Sequence, residues 1–215
     1  GTGSEATCNA IVAIPEEQSK KGIVNDNMIP DYVFLDSQMI RKLPKAIIAA
    51  TGVDALAHVV ECFTSKKAIP FSDTYATAGA KLIFHNIREA YGDADNMEAK
   101  NNMMLGAFYG GVAITGSGTT AVHALSYPLG GKYHIAHGVS NAILFAHVME
   151  FNKDACKERL AVLCDGVFPE FATKSVDEKA DYMIGQIADI VKVTNIPTDL
   201  TEFGVKMEDL DFLVQ

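Results

Sequence analysis

The chain has 215 residues, 48% hydrophobic and 21% charged, with a formal net charge of -9. That balance describes a globular protein with a substantial core. It excludes a basic nucleic-acid surface, and the apolar runs read as too short and too interrupted to span a bilayer. The cysteines, Cys8, Cys62, Cys156 and Cys164, are scattered and form no CxxC. That argues against a thiolate zinc site and for reduced thiols in a cytoplasmic protein.

The chain opens on Gly1-Thr-Gly-Ser-Glu-Ala-Thr7, small and hydroxylated residues that let backbone approach a ligand and can bond a phosphate. A plain turn is the competing reading. Cys8–Ile14 reads as a strand, and short strands are expected around Gly22–Val24 and Tyr32–Leu35, with Pro30 between them. Lys20 and Lys21 read as solvated surface, or as one lysine facing a cofactor. From Pro44 onward the pattern is helical. Thr51 followed by Asp54 fits a helix start, with Asp54 as its cap. His58 falls one turn later, so the Asp54 carboxylate and the His58 imidazole share a face.

Further helices are expected over Pro70–Tyr91, ended by Gly92, and over Met97–Ala113, where Gly106, Gly110 and Gly111 favour close packing. A turn over Thr115–Thr120 leads to a helix from Ala121 to Tyr127 that must stop before Pro128. Residues 129–136 read as a loop. Helices then follow over His137–Phe151, Lys153–Cys164, Val176–Val193 and Met207–Val214, giving a mainly α fold with little strand after residue 36.

Three of the six histidines lie between His123 and His137, the third being His134. Isolated histidines such as His85 and His147 read as structural. Asp54, His58, His123 and His137 together make a three-nitrogen, one-oxygen set suited to iron(II) or zinc. Intrinsic affinity ranks zinc above iron(II), so the metal is left open.

With those residues in place the chain resembles the iron-dependent alcohol dehydrogenases over nearly all its length. The stretches GTGSEAT at 1–7, TGVDALAHVVE at 51–61 and AVHALSYPLGGKYHIAHGVSNAI at 121–143 carry the resemblance. It implies the dehydroquinate synthase-like fold, with an N-terminal α/β domain that binds NAD or NADP and a helical metal domain. Residues 1–36 would be residual strands and the cofactor-facing loop of the former. Residues 37–215 would be the helical domain, clipped at its C-terminus. The family's metal ligands fall on Asp54, His58, His123 and His137. Its cofactor loop falls on Gly1, Thr2, Gly3 and Ser4, and a cofactor lysine on Lys20.

A family histidine near the nicotinamide is replaced here by Tyr127. A proton relay would then use Tyr127, His134 or a metal-bound water, and His134 could instead simply pack in its loop. The implied activity is oxidation of a small alcohol, or reduction of an aldehyde, by a full-length enzyme that forms homo-oligomers. The fragment itself is expected to be inactive without the missing cofactor domain. The rivals are a reductase or transhydrogenase of acidic carbonyl compounds in the same superfamily, and a non-catalytic module stabilised by metal. A helical phosphohydrolase would need an adjacent His-Asp pair, and the chain has none.

Overall fold

A computed structural model describes residues 1–17 and 19–213. After a single 3-10 turn at Ser4–Ala6, β1 (Asn9–Ile14) and β2 (Ser19–Val24) form an antiparallel hairpin in register from Asn9 opposite Val24 to Ile14 opposite Ser19. The expected strand over 32–35 does not form. With Pro30 just before it and no partner strand, the segment runs irregularly, and Tyr32 and Phe34 are exposed.

The helices are α1 (Lys45–Thr64), α2 (Pro70–Gly92), α3 (Met97–Ser117), α4 (Ala121–Lys132), α5 (His137–Val167), α6 (Val176–Val193) and a four-residue α7 (Leu210–Leu213). Of the helix expected over 207–214, Met207–Asp209 forms a 3-10 turn and α7 the residues after it, while the final residue lies outside the described residues. Helix α1 is central. It is buried without a break from Gly52 to Phe63 and packs on α2, α3 and α5. Contrary to the sequence reading, it is long and apolar enough to cross a membrane, but most of its apolar window is buried among the other helices. Its fully buried Val53 and Leu56 each contribute about 1.5–3 kcal/mol through apolar burial. The small residues of α3 act as expected: a Cβ on Gly106 would meet the Ile83 side chain at 2.8 Å.

Three boundaries differ from the sequence reading for identifiable reasons. Helix α1 starts at Lys45 after Pro44, and Thr51 is interior, its Oγ1 donating back to the Ile47 carbonyl at 2.7 Å. Asp54 therefore caps nothing. Helix α4 runs through Pro128, which forgoes one backbone bond while the Thr120–Ala124 and Leu129–Tyr133 bonds on either side hold. Helix α5 is one rod, not two: nothing between Phe151 and Lys153 breaks a helix, and Phe151 projects outward, 90% exposed.

Helix α6 matches its expected bounds because it carries a capping box. Ser175 Oγ accepts from the Glu178 N–H at 3.3 Å, and the Glu178 carboxylate accepts from Ser175 N–H and Oγ–H at 2.9 and 2.8 Å. Those two bonds and Lys174 lower the Glu178 carboxyl from 4.5 to about 2. A depressed folded-state pKa stabilises above the unfolded value, so this contribution is present above pH 4.5 and fades as pH falls towards 2. Glu178→Gln should weaken α6 at neutral pH and flatten acid unfolding in that window, as followed by circular dichroism. An unchanged acid profile would contradict it.

Candidate metal centre

The first pair comes from one stretch of α1. Asp54 and His58 share a face, and Glu61, seven residues after Asp54, continues it. His123 comes from the first turn of α4, and His137 is the first residue of α5. A Cβ on Gly138 would overlap the Ala50 backbone carbonyl, so glycine lets the start of α5 sit directly on α1 and bring His137 in. Gly138→Ala should cost about 1–3 kcal/mol by overpacking. It should also weaken metal binding by displacing His137. A thermal melt and a metal titration matching the native chain would refute this.

Asp54, His58 and His123 offer ligand atoms that all lie within 4.8 Å of one another, and His137 approaches the same Asp54 oxygen from α5. The Nε2 atoms of His58, His123 and His137 stand 3.9, 3.5 and 3.6 Å from Asp54 Oδ1. Ligands about 2.1 Å from a tetrahedral ion stand roughly 3.4 Å from one another. The spacing is too long for direct hydrogen bonds and close to that of atoms sharing a small cation.

Two of the three remaining ring nitrogens have partners. His58 Nδ1–H donates to the Thr2 carbonyl at 3.0 Å, and His123 Nδ1–H donates to Glu61 Oε2. Both tautomers leave Nε2 as a lone pair facing Asp54, as metal ligation requires. The Thr2 carbonyl is in place because Gly3, in the left-handed region at φ 83°, lies against the α3 backbone at Ala107 and Gly111, where a Cβ would collide. Asn141, one turn after His137, donates to Asp54 Oδ1 at 2.5 Å. Its Nδ2 lies 3.1 and 3.3 Å from the Nε2 atoms of His123 and His137, and its buried Oδ1 has no partner.

Charge points the same way. Burial raises the Asp54 carboxyl, but His58, His123 and His137 outweigh it and hold the group well below the usual carboxylate range. Burial lowers the His58 imidazole to about 4 and also lowers His137. Burial opposes the charged form of His123 as well, yet contact with Asp54 and Glu61 raises it to about 9. Without an ion, a proton on His123 therefore supplies the positive charge between the two buried carboxylates, and an ion held by the Nε2 atoms would take its place. The donor set fits a divalent ion.

Other expected residues fall at varying distance from this cluster. Tyr127 lines the same cavity of ≈150 Å³, together with Thr2, Ser4, His58, His123 and His137, and stacks on His137 with 6.3 Å between ring centroids. His134 is exposed in the α4–α5 loop at φ 57° and does not line the cavity. Lys20 on β2 places its Nζ beside Gly130 and adds to the field lowering His137. All four cysteines are free and buried, and burial pushes the Cys62 thiol up to about 12. Sequence reasoning missed Glu61 and Asn141. Their only signal was helical phase, seven after Asp54 and four after His137.

Comparison with known proteins agrees with this architecture. Residues 48–215 match the family model described as Fe-containing alcohol dehydrogenase family, C-terminal. Over its full length the chain is 34% identical to a long-chain-alcohol dehydrogenase of Geobacillus thermodenitrificans and 33% identical to a 1,3-propanediol dehydrogenase of Klebsiella pneumoniae. It spans 54% and 56% of those proteins. A solved 1,3-propanediol oxidoreductase superposes over 99% of this chain and 56% of its own, with TM-score 0.92 and 32% identity. The chain belongs to the Fe-containing alcohol dehydrogenase family, in the family's C-terminal region.

Proposed function

We propose that this chain is the metal-bearing part of an NAD(P)-linked alcohol dehydrogenase or aldehyde reductase. The observation that carries the reading is the convergence of three imidazole Nε2 atoms on Asp54 Oδ1, with two of the tautomers set from behind. Asp54, His58, His123 and His137 would hold the ion. Bound there, iron(II) or zinc supplies Lewis acidity to an alcohol or carbonyl oxygen, and NAD(P) supplies the hydride-exchanging nicotinamide.

The chain's own residues supply the surroundings. Ile11 and Ile114 give the cavity apolar walls, while Thr2, Ser4 and Thr119 offer polar groups. Burial raises the Tyr127 hydroxyl, so at neutral pH it keeps its proton and acts as a hydrogen-bond donor, not as a base. Of the two candidate relay groups, Tyr127 faces the cavity. Gly1 to Ser4 and Lys20 border the side on which a cofactor would lie. In this reading residues 1–36 belong with an α/β cofactor domain and 37–215 form the metal domain. The whole enzyme would act on small alcohols or aldehydes as a homo-oligomer in the cytoplasm.

The test is nicotinamide reduction by the full-length parent with a panel of primary alcohols, loaded with iron(II) or zinc, using NAD and NADP. Metal-dependent reduction is expected, and none from the 215-residue chain alone. No hydride transfer by the loaded parent with any alcohol would overturn the reading.

A further inference from the structure

A second opening of ≈400 Å³ lies beside the metal cavity, and Thr119 lines both. Ala121 and the buried Met149 and Cys156 give the second opening apolar walls, while Lys66 and Lys67 stand exposed on its edge. Neither lysine enters an ion pair among the described residues, although the chain as a whole is acidic.

The partition between the two spaces is slight. Thr120 is anchored to Glu61 through its N–H at 3.0 Å and its Oγ1–H at 2.7 Å. Just before Thr119, Gly118 has φ 76° and open space beside it. Thr119 thus borders both spaces, next to a residue with room to turn. From His58 to Ser65 the chain rises seven residues along α1, roughly 10 Å. A hexanoate-sized chain covers most of that span and leaves the rest to the lysine side chains, whereas ethanol covers little of it.

Resting on the dehydrogenase reading above, we propose that the second opening receives the far end of the substrate. The substrate class is a hydroxy acid or oxo acid whose carboxylate lies several methylenes from the reacting carbon. The carbinol carbon sits among the imidazoles, the methylenes pass Thr119 along Ala121 and Met149, and the carboxylate meets Lys66 and Lys67. The reaction balances as for any alcohol: a C–H bond breaks, its hydrogen and electron pair pass as hydride to the oxidised nicotinamide, and the hydroxyl proton goes to solvent.

The experiment compares kcat/KM for ω-hydroxyhexanoate, hexanol and ethanol in the full-length parent and two variants. Ala155→Trp fills the second opening from an exposed helical position. It should lower the hydroxyhexanoate-to-ethanol ratio by about tenfold or more, the scale of lost chain contacts in a pocket. The double variant Lys66→Ala/Lys67→Ala should lower the hydroxyhexanoate-to-hexanol ratio by about fivefold at low salt and less at high salt, as screened charges do. An unchanged ratio in Ala155→Trp overturns the second subsite, and an unchanged ratio in the double variant overturns the acidic terminus. If the wild-type parent oxidises none of the three alcohols, the dehydrogenase reading fails and this inference with it. Since each comparison is a ratio within one preparation, partial misfolding cannot mimic the result.

Discussion

His137→Ala is expected to lose bound metal and keep its fold, whereas His123→Ala loses both. The contrast follows from what stands behind each ring. His137 is 35% exposed at its side chain, and its near neighbours are Asp54, Asn141 and the rings of His123 and Tyr127. Removing it takes away one ligand and leaves no buried group newly alone. His123 is buried and holds Glu61, which is fully buried at 0% exposed. Without His123 that carboxylate loses its charged partner, a change that costs about 3–5 kcal/mol when a buried pair is broken. Metal content by elemental analysis and helicity by circular dichroism separate the two outcomes. Full metal in His137→Ala would remove it from the ligand set, and an undisturbed melt for His123→Ala would show that the Glu61 pairing contributes nothing to the fold.

Glu61→Gln should weaken metal binding by about 10–100-fold, as loss of a partner behind a ligating histidine does. In the native chain Glu61 Oε1 accepts from Thr120 N–H, Thr120 Oγ1–H and Val122 N–H, and Oε2 accepts from His123. One carboxylate thus closes the start of α4 and sets a ligand's tautomer. A glutamine keeps an oxygen for the helix start but turns an amide N–H towards His123. The ring then accepts at Nδ1 and carries its proton on Nε2, where the ion should be. Glu61→Ala goes further and leaves the Val122 donor buried without a partner, at about 1–3 kcal/mol. Metal titration of Glu61→Gln with a competing chelator is the measurement. Native affinity in a folded variant would show that His123 chooses its tautomer without Glu61.

Much of this site was legible in the sequence because helical spacing is a local property. Asp54 and His58 share a face whatever lies around them, and the capping box fixes the start of α6 within one turn. Where long-range packing decides, the sequence reading went astray. Pro128 marks a stop in an isolated peptide, but in α4 it costs a single backbone bond. Thr51 fitted a helix start through its spacing from Asp54, yet the helical pattern already runs from Pro44 and Thr51 lies inside α1. Tyr32 and Phe34 have the side chains of a strand and no neighbour to pair with. Glu61 and Asn141 were invisible for a related reason. Each matters through residues 62 and 87 positions away, His123 and Asp54, and no window of sequence contains both members of such a pair.

The bond from His58 to the Thr2 carbonyl has an energetic consequence of its own. It joins residues 56 apart in sequence and adds to the packing of Gly3 on α3 and the Thr115 hydroxyl bond to the Ala6 carbonyl, so the docked opening segment is favoured while His58 presents its Nδ1–H. Any ion that holds the opposite nitrogen keeps that tautomer, and thereby favours the docked segment over its frayed state. By linkage the reverse also holds: a docked segment raises affinity for the ion by the same factor. Slow amide hydrogen exchange at Ala6 and Thr7, whose N–H groups bond back to Gly3 and Ser4, would report the coupling, with protection rising on metal uptake.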